Sequence, residues 1–332
     1  MLLNLLEYHW AEDLDDALIL LARTDIKTVP LAGGTSVLSS DNEEIQALVD
    51  LRELELAYIE ERAHDARGPD LLRLGAMITL QTISDSPLLR EIATGILAHA
   101  AHASSSSQLI RNSATLGGTL VTGVSSQADL LTALAVLDAE VVLRSGSKTQ
   151  VDLAGGSYER PGLALSGVTF KGKQERRVPF LSLSNERRPN ELLIEVAIPR
   201  PAPGCGGSFL RVGRTPNDAA LINVAALVEV KDDTYQRVRL AMGGVNMEPQ
   251  RLQVVERQLE GQAVNQPGSN ALDIQRLASI LQSGMAGFQP PSDFRATSGY
   301  RRVVGMNLAF RALEEATNVS RWRNMVSSEG GD

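Results

Sequence analysis

The chain has 332 residues, of which 43% are hydrophobic and 22% charged, a balance typical of a folded globular protein and not of a disordered chain. Its 40 acidic and 32 basic side chains give a formal net charge of −8, which disfavours nucleic-acid binding. No apolar run approaches the roughly 18 residues of a membrane span. The single cysteine can form neither an internal disulfide nor, alone, an iron–sulfur or zinc–thiolate site.

The short apolar start of the chain does not predict a secretory signal, because it lacks basic residues and is interrupted at Glu7. Together with the single cysteine, this favours a reducing compartment, and we expect a cytoplasmic protein. The first elements predict a small β-α-β-like unit. Asp13 is a candidate N-cap for a helix, and strands are expected at 28–32 and 47–51.

The middle of the chain predicts further strands and helices. A strand is expected at 71–76, a short helix begins at Thr79, and a longer helix runs from Pro87 toward Ala101. Four consecutive serines at 104–107 predict a loop. The remaining predicted elements of this part are a helix at 130–137 and a strand at 140–144.

Residues 145–190 are polar and rich in Gly, Lys and Arg, which predicts loops, edge strands and a domain boundary. Four closely spaced strands then predict an antiparallel sheet, at 192–198, 208–212, 223–230 and 237–242. Helical periodicity follows at 249–259, 274–285 and 299–316, and residues 327–332 are typical of a frayed tail. Strands followed by helices favour an α+β fold.

Two segments that each contain Gly-Gly-Thr, 31–36 and 115–120, are the most informative local feature. Tandem glycines let backbone N–H groups point into one concavity and let a ligand come close. Two such loops suit the two phosphates of a dinucleotide, although the sequence lacks the Gly-x-Gly-x-x-Gly fingerprint. Two ordinary tight turns are the alternative interpretation. We predict no catalytic residue and no metal site, since His99 and His102 lack nearby carboxylate or cysteine ligands.

Longer ordered motifs resemble the FAD-binding medium subunit of the molybdenum hydroxylases, the family of xanthine dehydrogenase and carbon monoxide dehydrogenase. The resemblance extends over nearly the whole chain. The motifs that carry it are 32–36, 108–118, 128–131, 190–199, 213–214 with 217–218, 242–245 and 300–302.

The resemblance implies a two-part FAD-binding domain of the vanillyl-alcohol oxidase and carbon monoxide dehydrogenase flavoprotein type. This domain would occupy residues 1–186, with subparts at about 1–55 and 56–186. An α+β C-terminal domain, an antiparallel sheet plus helices, would follow at 187–322, and residues 323–332 would form a tail.

The resemblance also implies which residues contact FAD. The two glycine segments would hold the pyrophosphate, and Thr122 and Asp129 would hydrogen-bond hydroxyls of the cofactor. Leu193 would lie against the isoalloxazine ring, and Arg211 would stand beside the flavin, where a cation favours the anionic reduced form. The alternatives are a helix-capping Asp129, a core Leu193 and a solvated Arg211. The implied binding residues are Leu31, Ala32, Gly33, Gly34, Thr35, Ser36, Thr115, Gly117, Gly118, Thr119, Thr122, Asp129, Leu193 and Arg211.

As function, the resemblance implies an electron-transfer subunit that carries non-covalent FAD. It would accept electrons from the 2Fe–2S clusters of a small partner subunit and pass them to an external acceptor. A large partner subunit would hold molybdopterin, and the assembly would be a dimer of heterotrimers. No nucleic acid or membrane span is expected. The alternatives are a stand-alone FAD-dependent reductase or oxidase, and a scaffold subunit without flavin.

Overall fold

The N-terminal strands form a three-stranded parallel sheet in the computed structural model, which describes residues 4–23, 25–39, 42–63, 70–123, 128–150, 158–160, 163–165, 168–215, 217–266, 268–269 and 271–329. Asp13 caps the helix of this unit as predicted, since its carboxylate accepts a hydrogen bond from the amide of Asp16 at 2.8 Å. The third strand lies between the other two. In chain order the elements are β1 (Glu7–Trp10), α1 (Leu14–Leu21), β2 (Thr28–Leu31) and β3 (Ala47–Asp50).

A five-stranded antiparallel sheet forms the middle of the fold. In spatial order its strands are β4 (Ile59–Arg62), β5 (Leu71–Gly75), β10 (Glu191–Pro199), β6 (Glu140–Gln150) and β9 (Val168–Pro179). Two short strands, β7 (Tyr158–Arg160) and β8 (Leu163–Leu165), pair with each other, and a short helix, α8 (Leu183–Glu186), precedes β10.

The prediction that β10 begins the C-terminal antiparallel sheet is wrong, because β10 pairs with β5 and β6. Every residue from Glu191 to Ile198 is buried, so this strand needs neighbours on both edges and covering layers on both faces. A division of the chain after residue 186 stays a prediction, and the pairing of β10 favours a boundary beyond Pro199.

Helices cover the central sheet and share one hydrophobic core with it. A single helix from Pro87 to Ala101 was the wrong expectation, because a 3-10 turn interrupts it at Ala93 and Thr94, where φ is +46° and +60°. Tertiary contact accounts for the break, since the Thr94 hydroxyl accepts a hydrogen bond from the amide of Gly207 at 3.0 Å. The helices are α2 (Leu80–Asp85), α3 (Pro87–Glu91), α4 (Ile96–Ala103), α5 (Gln108–Ser113), α6 (Leu116–Thr122) and α7 (Ala128–Val136).

The C-terminal part is a four-stranded antiparallel sheet packed against helices. A strand replaces the start of the helix predicted at 249–259, and the last helix continues far beyond residue 316. Part of the predicted tail is therefore helical, because buried Thr317 and Ser320 continue the packed face. The elements are β11 (Gly206–Val212), β12 (Ile222–Lys231), β13 (Thr234–Gly244), β14 (Met247–Arg251), α9 (Gln253–Leu259), α10 (Ile274–Gly284) and α11 (Ser298–Glu329).

Asp138, in the turn between α7 and β6, ties the central part to the C-terminal sheet. Its carboxylate accepts hydrogen bonds from Arg237, from Arg239 at 3.0 Å and from Arg251 at 2.6 Å. Arg251 also pairs with buried Glu256. Burial alone would raise the pKa of Asp138, but the three arginines outweigh it and hold that pKa below its usual range.

Asp138→Asn should therefore lower the free energy of unfolding at pH 7 by about 1–3 kcal/mol. A carboxylate with a lowered folded-state pKa stabilises the fold above its unfolded pKa of about 4, and this contribution disappears as pH falls through the folded-state pKa. Urea unfolding of wild type and variant from pH 7 to pH 3 should show a gap that closes only at the acid end. The exposed pair of Asp85 and Arg90 provides the control, since Asp85→Asn should change stability by less than about 1 kcal/mol. Equal losses of stability in the two variants would contradict the stabilising role of Asp138 between the central part and the C-terminal sheet.

Candidate functional site

The first glycine segment is a loop that begins where β2 ends. The amides of Gly33, Gly34, Thr35 and Ser36 donate to no backbone carbonyl among the described residues. Gly34 has φ +74°, which favours glycine. A Cβ at Gly33 would lie 1.6 Å from the carbonyl oxygen of Ser113, so only glycine lets the loop lie against the end of α5. The loop therefore offers a row of backbone donors in a fixed position.

The second glycine segment is the first turn of α6, so the expectation of a second loop is wrong. Thr115 is the N-cap of this helix, and its hydroxyl accepts from the amide of Gly118 at 3.2 Å. The amide of Gly117 already donates to the carbonyl of Ala76 at 2.8 Å. Here Gly117 serves close packing, because a Cβ at that position would lie 2.9 Å from that of Ala76. A Cβ at Gly118 would lie 2.9 Å from the hydroxyl oxygen of Thr115 and 4.0 Å from the Cβ of Ala32.

These two segments line one cleft of about 370 Å³, which the start of β10 closes at one side. This volume is within the range of small-molecule and cofactor sites. The structure thus brings together most of the residues expected from sequence. Those that line the cleft are Ala32, Gly33, Gly34, Thr35, Ser36, Thr115, Gly117, Gly118, Thr122 and Leu193.

Other residues that line the cleft were not predicted. Some, such as Val37, are next in sequence to a predicted residue, and that adjacency was the only signal for them. Others, such as Lys27 and Arg187, adjoin no predicted residue and had no signal. Lys27 is exposed and Arg187 half-buried, so both present cations to the cleft. The carboxylate of Glu191 is engaged by Arg176 at 2.7 Å, which holds the pKa of Glu191 below its usual range despite burial. The cleft therefore favours an anionic ligand.

Four predicted residues do not line the cleft. Leu31 is buried at the end of β2, and Thr119 is buried in α6 without a hydrogen-bond partner for its hydroxyl among the described residues. Asp129 and Arg211 pair with each other, with Arg211 Nε 3.1 Å from Asp129 Oδ2. Asn223 donates to the other carboxylate oxygen of Asp129 at 2.5 Å. Asp129 on α7 thus joins the central part to β11 and β12.

Burial raises the pKa of Asp129 to about 6, although the charge of Arg211 and the hydrogen bond from Asn223 both act to lower it. Only 1% of this residue is exposed, so desolvation dominates. Asp129 is therefore poorly stabilised as an anion, in contrast to Asp138, which has three arginine partners.

No three His, Cys, Asp or Glu side chains of the described ranges are placed to hold a metal ion. Cys205 is buried, and burial raises the pKa of its thiol to about 11, so it is not an activated nucleophile. No helix in the part of the chain that the structure covers is long and apolar enough to cross a membrane.

Comparison with known families identifies the two parts of the chain. Residues 4–201 match the family described as the FAD-binding domain in molybdopterin dehydrogenase, and residues 208–316 match the C-terminal domain of carbon monoxide dehydrogenase flavoproteins. The chain belongs to this flavoprotein family. It is 28% identical over 317 residues to the glyceraldehyde dehydrogenase medium chain of Sulfolobus acidocaldarius, covering 93% of this chain and 97% of that protein. It is also 28% identical to the xanthine dehydrogenase FAD-binding subunit of Escherichia coli O157:H7, covering 93% and 95%.

Solved structures share the fold of this family. A chain of carbon monoxide dehydrogenase from Hydrogenophaga pseudoflava superposes with a TM-score of 0.74 at 22% identity, covering 95% of this chain and 98% of that one. A chain of quinoline 2-oxidoreductase from Pseudomonas putida 86 gives 0.73, also at 22% identity, covering 95% and 98%. The α+β fold with an FAD-binding domain and a C-terminal domain is therefore confirmed.

The residues present fit FAD. The loop amides of 33–36 and the cations of Lys27 and Arg187 suit the charge of a pyrophosphate. The missing Cβ of Gly118 leaves space between α6 and the first loop, and Leu193 supplies an apolar contact at the start of β10. The expected roles of Asp129 and Arg211 at the cofactor stay predictions.

Gly118→Val should weaken FAD binding at least tenfold, because the added side chain fills the space between α6 and Ala32. Fluorescence quenching of added FAD would measure the dissociation constant. Gly287→Val is the matched control, since no atom lies within 4 Å of a Cβ at that position. Wild-type affinity in Gly118→Val, with unchanged circular dichroism, would contradict the assignment of the cleft.

Asp129→Asn should reveal a pH dependence opposite to that of Asp138. A carboxyl whose pKa is raised to about 6 binds its proton in the folded state before the unfolded one does, so wild-type stability should increase relative to the variant as pH falls from 7 to 4. The expected increase is up to about 3 kcal/mol, measured by urea unfolding. A difference that stays constant over this range would contradict the raised pKa.

Proposed function

We propose that this chain is the FAD-carrying electron-transfer subunit of a multi-subunit molybdenum hydroxylase. The observation that carries the proposal is the cleft lined by the start of α6 and by the loop of 33–36, whose amides donate to no backbone carbonyl of the described residues. The backbone donors and flanking cations of the cleft suit a dinucleotide. Membership of this FAD-binding family supports FAD as that dinucleotide.

Bound FAD supplies exchange of one or two electrons, which suits a position between single-electron clusters and a two-electron acceptor. The residues of this chain bind and orient the cofactor. Among the described residues that line the cleft, Glu191 is the one carboxylate, and it is engaged by Arg176. The described lining thus offers neither a His nor a free carboxyl for acid–base chemistry on a substrate, which supports an electron-transfer subunit over a stand-alone reductase or oxidase.

The partners follow from the same proposal. The relatives are named as medium chains or FAD-binding subunits of dehydrogenases, and we infer a molybdopterin-binding large subunit and a small subunit with 2Fe–2S clusters. Non-covalent attachment of FAD is supported by the described cleft lining, which contains neither His nor Cys. The dimer of heterotrimers and the cytoplasmic location stay predictions.

The cofactor is tested by the visible absorption spectrum of the purified chain, recorded before and after denaturation and filtration. We expect a flavin spectrum and release of FAD into the filtrate. Flavin that stays with the denatured chain would contradict non-covalent binding. A colourless chain that takes up no added FAD would favour the scaffold subunit.

Electron transfer is tested with the complex purified after co-expression of the three subunits. Rapid mixing with a reductant specific for the large subunit should bleach the 2Fe–2S absorbance first and the flavin absorbance after it. The complex carrying Gly118→Val should reduce its clusters at the wild-type rate but pass no electrons to an added acceptor. Acceptor reduction at the wild-type rate without FAD would overturn the proposed function.

A further inference from the structure

The N-terminal part of the chain carries a strong local negative charge. The first 63 residues contain 14 acidic and four basic side chains, a formal charge of −10, whereas the whole chain carries −8. The remainder is therefore close to neutral. A charge concentrated in one part of a protein steers association at the surface of that part.

Within this acidic part, β1 exposes a row of apolar side chains. Tyr8 and Trp10 lie on this edge strand of the parallel sheet and Leu6 immediately precedes it, and the three are 42%, 50% and 71% exposed in that order. The rings of Tyr8 and Trp10 meet edge to face with centroids 5.8 Å apart, and the guanidinium of Arg52 lies 5.5 Å from the centre of the Trp10 ring. We call Leu6, Tyr8, Trp10 and Arg52 the aromatic ledge.

The buried Asp50, which is 2% exposed, fixes two residues of the aromatic ledge by hydrogen bonds. The Tyr8 hydroxyl donates to its carboxylate, and the backbone amide of Arg52 donates to the same group at 2.9 Å. The hydrogen bond from Tyr8 to Asp50 raises the pKa of Tyr8, so the phenol stays protonated as the donor. Side chains that are already fixed lose little conformational entropy on binding.

Exposed carboxylates border the aromatic ledge at both ends. Asn4 donates to the carbonyl of Glu43 at 2.9 Å, which brings Glu43 and Glu44 to the end near Leu6. Glu12 and Glu53 follow Trp10 and Arg52 closely in sequence and border the other end. An apolar centre of Tyr, Trp and Arg inside a charged rim is the usual anatomy of a protein interface.

We propose that the aromatic ledge is the docking surface for a partner subunit whose complementary face has an apolar centre and a basic rim. The inference rests on the proposed function, in which this chain is one subunit of a complex. Charge complementarity selects the occupant, because two copies of this surface would bring like charges together. The four bordering glutamates select a basic rim, and the exposed Trp10 and Leu6 select an apolar centre.

The test measures the dissociation constant between the FAD-loaded chain and its co-expressed partner subunits. Leu6→Ser combined with Trp10→Ser should weaken binding at least tenfold, as expected for hot-spot residues. Trp322→Ser is the matched control, since Trp322 is an exposed tryptophan on α11 and should change binding less than twofold. Wild-type affinity in the double variant, or an equal loss in the control, would overturn the proposal.

A second variant tests the charge. Glu12→Lys combined with Glu53→Lys should weaken binding severalfold at low salt and lose that effect at high salt, because screening removes the charge contribution. If the affinity for the partner subunits changes neither with the two substitutions nor with salt, the proposed basic rim of the partner is wrong. FAD content is measured on every variant. A wild-type chain that holds FAD but binds no partner subunit would refute the complex, whereas intact binding of the ledge variants would refute the docking surface alone.

Discussion

The cleft depends on a close approach of backbone to backbone. The first loop lies so near the end of α5 that a Cβ at Gly33 would stand 1.6 Å from the carbonyl oxygen of Ser113. The start of α6 is fixed in the same way, because Gly117 packs on Ala76 and donates its amide to that residue. Two different uses of glycine thus produce one site. In the first loop glycine allows a conformation in which the amides of 33–36 donate to no backbone carbonyl of the described residues, and in α6 it removes the side chains that would fill the cleft.

The central sheet turns this local geometry into a cofactor site. β10 belongs to the central sheet and also contributes to the cleft, since it is hydrogen-bonded between β5 and β6 and its first residues line the cleft. The C-terminal sheet is then held against the central part by two carboxylates of opposite electrostatic character, the half-buried Asp138 and the fully buried Asp129. Asp138 is stabilised as an anion by three arginines, whereas Asp129 is desolvated with a weaker set of partners. As pH falls, protonation of Asp138 weakens its ion pairs with the three arginines. Protonation of Asp129 instead removes the cost of burying its charge.

Local sequence patterns predicted the cleft better than they predicted the sheets. The two Gly-Gly-Thr segments contain eight of the cleft residues, because glycine and its neighbours act through local backbone geometry. Thr122 and Leu193 came from the family resemblance. Sheet order depends on pairing between distant segments, so the pattern of β10 could reveal a buried strand but not its neighbours. The helix break at Ala93 and Thr94 is likewise set by a contact with Gly207, more than a hundred residues away. The excess of acidic residues among the first 63 can be counted from the sequence, but the aromatic ledge depends on the structure of β1 and its neighbours.

Several of the motifs that identify the family make tertiary contacts. The fully buried Arg301 donates to the carbonyl of Val245 at 3.1 Å and to Asp293 at 2.8 Å, so the motifs at 242–245 and 300–302 meet in the C-terminal domain. Asp129 meets Arg211 and Asn223 across the joint between domains. A buried charge that loses its partner is destabilising, so each of these residues constrains the identity of the other. The contacts between these motifs therefore fix how the C-terminal domain packs, whereas the first loop and α6 shape the cleft of the FAD-binding domain.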